Sequence, residues 1–154
     1  MNGYLMDTNH VTAWEAQVPA LVAKLQALPA NTRVCTCAIT LGEIAQGHEM
    51  TNGDLQRRHQ VKQFLNIWVN PYVVKLSDTT GAYYGQIIGR IWKRTSPASK
   101  KISTDEHLVK QGVNINDVWI VACAWEHGLT LLTTDGMTAI RNVTPEVTFD
   151  NWCI

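Results

Sequence analysis

Residues 116–135 read NDVWIVACAWEHGLTLLTTD, and this stretch decides the fold. From Asp117 the chain is apolar with helical length, and it stops at Gly128, the residue type that most often ends a helix. LTLLTT then has the composition and brevity of a buried strand, delivered to an acid at Asp135. A helix feeding a short strand that ends in a carboxylate is half of an alternating α/β pattern. The same pattern recurs outward in both directions. GYLMDTNHV (Gly3–Val11) holds a short strand, Tyr4–Met6, ending at Asp7. TRVCTCAI (Thr32–Ile39) reads as a second strand, and TLGEIAQGHEM opens a helix with Glu43 in its first turn. YVVKL (Tyr72–Leu76) is a third strand, LTLLTT the fourth, and VTF near the end a fifth.

Helices fill the intervals. Pro19–Leu28 carries proline in its first turn. Asp54–Trp68 places Val61, Leu65 and Trp68 at helical spacing. Asp78–Arg94 is capped by Asp78 and buries Tyr84, Ile87, Ile88 and Ile91. Thr95–Gln111 reads as a polar loop. Alternating strands and helices predict an α/β chain with a parallel sheet covered on both faces. A length of 154 residues suits one domain spanning 1–154.

Hydrophobic residues make up 45% and charged residues 17% of the chain, an ordinary globular balance. No apolar run reaches the roughly 18 residues needed to span a bilayer, and the N-terminus lacks a signal-peptide pattern; the reading expects a cytoplasmic protein. Cys35, Cys37, Cys123 and Cys153 have no zinc-site spacing and read as reduced thiols. Formal net charge is zero, yet residues 54–101 hold nine Lys/Arg against two acids, +7, leaving −7 for the remainder. A basic middle beside acidic ends suits a phosphate-binding surface next to an acidic site, and it equally suits solvated helix faces.

The acids carry the chemistry. Asp7 and Asp135 follow strands, Glu43 lies just after one, and Asp117 opens a helix. In an open α/β sheet, ligands bind at the carboxyl ends of the strands. Each acid alone has a structural use: Asp7 and Asp135 as helix caps, Glu43 in a capping box with Thr40, and Asp117 as a complement to its helix dipole. Together they would repel. Like charges about 4 Å apart cost roughly 4 kcal/mol at an effective dielectric near 20. Such a cluster calls for a divalent cation or for protonation, and hard oxygen ligands suit Mg2+ or Mn2+.

MDTN, TLGEIAQG, NDVWIVACAWEHGLTLLTTD and the terminal NW, in that order, resemble the signature segments of PIN-domain ribonucleases, and most closely the VapC-type toxins of type II toxin–antitoxin modules. The resemblance implies a Rossmann-like three-layer α/β/α sandwich with a mostly parallel central sheet. It implies a Mg2+- or Mn2+-dependent endoribonuclease, a hydrolase acting on RNA phosphodiester bonds. It places catalytic and metal-holding roles on Asp7, Glu43, Asp117 and Asp135, with Thr8, Asn9, Asn116 and Thr133 in support. It also implies a cognate antitoxin partner and a homodimer. The run after Asp135, DGMTAIRNV, lacks the aromatic often found there. Arg57, Arg58, Arg90, Lys93 and Arg94 are the candidate contacts to the RNA backbone. Alternative readings are a catalytically silent PIN-like scaffold binding RNA or protein, and another Mg-dependent phosphoryl hydrolase. Gly81, Gly85 and Gly89 form a stripe on one helix, which points to close approach of another backbone, from a neighbouring helix or a second subunit.

Overall fold

The computed structural model describes residues 3–50, 59, 63, 72–96 and 102–154. Its strands are β1 (Gly3–Met6), β2 (Val34–Cys37), β3 (Val73–Val74), β4 (Leu129–Leu132) and β5 (Phe149–Asp150). They form one five-stranded sheet in the order β3-β2-β1-β4-β5, parallel throughout. The helices among the described residues are α1 (Thr8–Glu15), α2 (Pro19–Gln26), α3 (Ala38–Met50), α4 (Asp78–Thr95), α5 (Thr104–Lys110), α6 (Ile115–Glu126) and α7 (Thr138–Arg141).

The strands are apolar at nearly every position because both faces of the sheet are covered. Successive side chains point to opposite faces, and the core divides accordingly. Leu5, Cys35, Cys37 and Leu131 pack with Ile87 and Ile91 of α4 and with Val118, Val121 and Ala122 of α6. Met6 and Leu132 pack on the other side with Val11, Leu21 and Trp152. This is the three-layer α/β/α sandwich. The strand order reverses at β1, which pairs with β2 on one side and β4 on the other. Asp7 N–H donates to the Leu132 carbonyl at 3.1 Å, carrying the β1–β4 ladder one residue past the strands. Cys35, Cys37 and Cys123 are free and buried, as reduced core thiols should be. Among the described residues no helix is long and apolar enough to cross a membrane.

Several boundaries differ from the sequence reading. Ser77, not Asp78, caps α4: its hydroxyl accepts from Thr80 N–H at 3.1 Å, and the Thr80 hydroxyl accepts from Ser77 N–H at 3.0 Å. β3 contracts to two residues because only Val73 and Val74 find partners, at Thr36 and Cys37. β4 ends at Leu132. α3 begins at Ala38, directly after β2, so Glu43 sits in its second turn and forms no capping box with Thr40. The stretch read as a polar loop contains α5, capped by Ser103 and burying only His107 and Leu108. So short an apolar face leaves no periodicity to read. The expected helix Asp54–Trp68 lies outside the described residues.

The glycine stripe of α4 meets no other element among the described residues. A Cβ built on Gly81, Gly85 or Gly89 meets nothing within 4 Å among the described residues. Gly128 is different in kind: its φ of 61° is left-handed, where the chain turns from α6 into β4. Gly85→Ala therefore raises stability by about 0.5–1 kcal/mol, through helix propensity. Gly128→Ala lowers it by about 1 kcal/mol, through the cost of a Cβ at positive φ. Urea unfolding of the two variants checks the opposite signs.

Candidate active site

The parallel sheet delivers β1, β2 and β4 to one edge, and each end carries part of an acidic cluster. Asp7 follows β1 and is 3% exposed. It is also the N-cap of α1, its Oδ1 accepting from His10 N–H at 2.8 Å. The His10 ring lies against the same oxygen, Nδ1 to Oδ1 3.2 Å, and its Nε2 accepts from Trp152 N–H at 3.1 Å. No described residue donates to Asp7 Oδ2, so capping uses one oxygen of this carboxylate and spares the other.

Glu43, on α3 beyond β2, is gripped at both oxygens. The Thr8 hydroxyl donates to Oε2, and Asn116 Nδ2 donates to Oε1 at 2.9 Å. Asp135, exposed beyond β4, accepts from Asn9 Nδ2 at 3.2 Å, and the same amide donates to the Thr134 hydroxyl at 3.0 Å. The Thr133 hydroxyl accepts from Asp135 N–H at 3.0 Å and shapes that turn. Thr8, Asn9, Asn116 and Thr133 thus all reach the acids or their backbone.

Asp117 stands in the first turn of α6, after the Asn114 cap. No described residue donates to its carboxylate. Burial raises its carboxyl to about 6, and the negative charges of Asp135, Glu43 and Asp7 push in the same direction. The structure therefore brings Asp135, Glu43 and Asp7 into electrostatic reach of Asp117. Carboxylates, hydroxyls and amides are a hard oxygen donor set, which suits Mg2+ or Mn2+. Among the described residues no three His, Cys, Asp or Glu side chains are grouped so as to hold an ion directly. Within the described residues both Glu43 oxygens accept from Thr8 and Asn116, and one oxygen of Asp7 accepts from α1.

The basic residues separate. Arg90, placed by the sequence among the phosphate contacts, is engaged inside the chain. It makes a paired hydrogen bond to Glu146, both at 2.9 Å, donates to the Val143 carbonyl at 2.8 Å, and lies 4.7 Å from the Trp125 ring centroid. Lys93 and Arg94 are exposed on the last turn of α4. Arg57 and Arg58 lie outside the described residues. Sequence reasoning missed His10 and Arg141, and it met Trp152 only as part of the terminal NW. The Arg141 guanidinium donates to the Asp135 carbonyl at 3.1 Å and lies 4.5 Å from the Phe149 ring centroid.

No family model and no curated protein matches the sequence. Solved structures do. A chain of VapBC2 from Rickettsia felis, bound to a DNA fragment from its promoter, superposes with TM-score 0.69 and 21% identity over 97% of this chain and 98% of that one. DNA-bound VapBC from Salmonella typhimurium gives TM-score 0.70 and 19% identity over 99% and 100%. VapBC-5 from Mycobacterium tuberculosis, of the VapBC family of toxin–antitoxin systems, gives 0.61 and 22% over 98% and 99%. The fold is that of a PIN domain. Identity near one fifth carries the PIN-domain fold and not an activity, so the activity must be argued from the acids.

Asp117 offers a check on the burial and the negative charge around its carboxyl. Its carboxyl is raised from 3.8 to about 6 in the folded state. The cost of its charge is absent below pH 4, grows between 4 and 6, and is fully present above 6. Asp117→Asn should therefore raise metal-free stability by about 1–2 kcal/mol at pH 7, after allowance for solvent screening. The gain should vanish near pH 4. Chemical denaturation in the presence of a chelator, at both pH values, measures this.

Proposed function

We propose that the chain is a VapC-type toxin: a Mg2+- or Mn2+-dependent endoribonuclease of the cytoplasm, working as a homodimer and restrained by a cognate antitoxin. The observation that supports this reading is that Asp7, Glu43 and Asp135 all lie near enough to Asp117, on the PIN-domain fold, to add to the effect of burial in raising its carboxyl. The toxin role is supported by the likeness to VapBC complexes.

Asp7, Glu43, Asp117 and Asp135 would hold the ion, which when bound supplies charge neutralisation at the phosphodiester and a more acidic water. The other residues prepare the site. Thr8 and Asn116 orient Glu43, and Asn9 orients Asp135. Asp7 keeps Oδ1 on α1, and no described residue donates to its Oδ2. Lys93 and Arg94 are available to phosphates, contacts that position a strand without reading its sequence. Single-stranded or looped RNA is the favoured substrate, since its backbone and bases are open to a shallow acidic cleft.

The test is cleavage of RNA, single-stranded DNA and a small phosphomonoester over a Mn2+ and Mg2+ titration, with Asp7→Asn and Asp117→Asn beside the parent chain. RNA should be cut only with the metal. Each variant should lose about a hundredfold or more in rate with an unchanged circular dichroism spectrum. Wild-type rates in either variant would remove the assigned site. Metal-dependent turnover of the phosphomonoester alone would make the chain a different phosphoryl hydrolase, and no turnover of any substrate would favour a silent scaffold.

A further inference from the structure

We infer that His10 is a positioning residue for Asp7, and that the C-terminal segment acts on the acidic site through it. The inference rests on the ribonuclease reading above for its consequence, but on hydrogen bonding for its geometry. His10 is 0% exposed. Both of its ring nitrogens are engaged, Nε2 with Trp152 N–H at 3.1 Å and Nδ1 with Asp7 Oδ1 at 3.2 Å.

The partners fix the tautomer. A backbone N–H only donates, so Nε2 must offer its lone pair. The ring proton then sits on Nδ1 and is donated to Asp7 Oδ1. That oxygen already accepts from His10 N–H at 2.8 Å. Two donors from one residue therefore converge on one carboxylate oxygen. This fixes the rotation of the carboxylate and directs Oδ2 away from α1. Capping alone needs only the backbone donor, which any residue at position 10 would supply. The ring adds a second bond to Asp7 and also supplies the acceptor for the buried Trp152 N–H, which an aliphatic side chain would leave unpaired.

The far end of the relay is braced as well. Trp152 Nε1 donates to Asp150 Oδ2 at 2.7 Å, and its ring packs on Tyr4 of β1 at 4.5 Å between centroids. Trp152 itself is buried with Met6, Val11, Leu21 and Leu132. The chain from Trp152 through His10 to Asp7 thus joins a residue near the C-terminus to the first acid of the sequence. Partners of this kind set the orientation of a ligand carboxylate without touching substrate.

Two substitutions divide the relay. His10→Asn keeps a donor near the Nδ1 position, toward Asp7, and gives up the acceptor for Trp152. His10→Gln reaches the Nε2 position, toward Trp152, and gives up the donor to Asp7. For both, RNA-cleavage kcat and KM would be measured with Mn2+, together with the Mn2+-induced shift in melting temperature. His10→Gln should lose about 10–100-fold in kcat with KM for RNA within about twofold, and its Mn2+ affinity should fall. His10→Asn should recover most of both. Equal losses in the two variants, or parental behaviour in His10→Gln, would overturn the proposal. In the parent chain, 15N NMR of the imidazole should find the proton on Nδ1, and a proton on Nε2 would overturn it independently of how the variants fold. Should the parent chain cut no RNA, the ribonuclease reading fails, while the NMR and Mn2+-melting arms still decide whether His10 orients Asp7.

Discussion

Carboxylates of like charge repel, and the C-terminal edge of this sheet is arranged around that repulsion. Parallel strands all end on the same side, so acids placed just after β1, β2 and β4 are forced toward one another, and α6 adds Asp117 from its first turn. The chain meets the repulsion with donors drawn from the same short segments. Asp7 is held by the N-terminus of α1 and by His10, Glu43 by Thr8 and Asn116, and Asp135 by Asn9. Asp117 has no such donor among the described residues, and burial, with the charges of Asp135, Glu43 and Asp7 acting in the same direction, raises its carboxyl.

The rest of the fold serves to keep these ends rigid. Alternate residues of β1 and β4 enter opposite cores, Leu5 and Leu131 on one side and Met6 and Leu132 on the other. A slip of one residue in either strand would exchange the two faces and rotate Asp7 or Thr133 out of the crevice. Trp152 closes one core beneath α1 and α2 and meets Asp7 through His10, so the ends of the sequence are linked by packing and by hydrogen bonds.

The alternation of strands and helices was legible in the sequence because apolar runs of strand length end in acids and apolar runs of helix length end in glycine. NDVWIVACAWEHG became α6, and Gly128 has the positive φ that its position implied. The acids stood out in the sequence by their places at strand ends and a helix start, the supporting residues came from the resemblance, and in the fold Thr8, Asn9 and Asn116 donate to an acid while the Thr133 hydroxyl accepts from Asp135 N–H. Other features depend on contacts between distant residues, which a linear reading does not contain. His10 read only as part of the DTNHV run, because its partner Trp152 lies 142 residues away. Arg90 read as a surface cation because Glu146 lies 56 residues on. The glycines of α4 suggested a contact, yet no described side chain or backbone approaches them. The helix α5 escaped because its buried face is only His107 and Leu108, although Ser103 and Glu106 carry the spacing of a capping box.

We propose that Asp7, Glu43, Asp117 and Asp135 form one cation site. Anomalous diffraction from crystals of the protein soaked in Mn2+ would locate the ion. A strong manganese peak is expected between the Asp7 and Asp117 carboxylates, bordered by Glu43 and Asp135. A soaked crystal with no peak in this crevice, or with manganese bound only elsewhere on the chain, would contradict it.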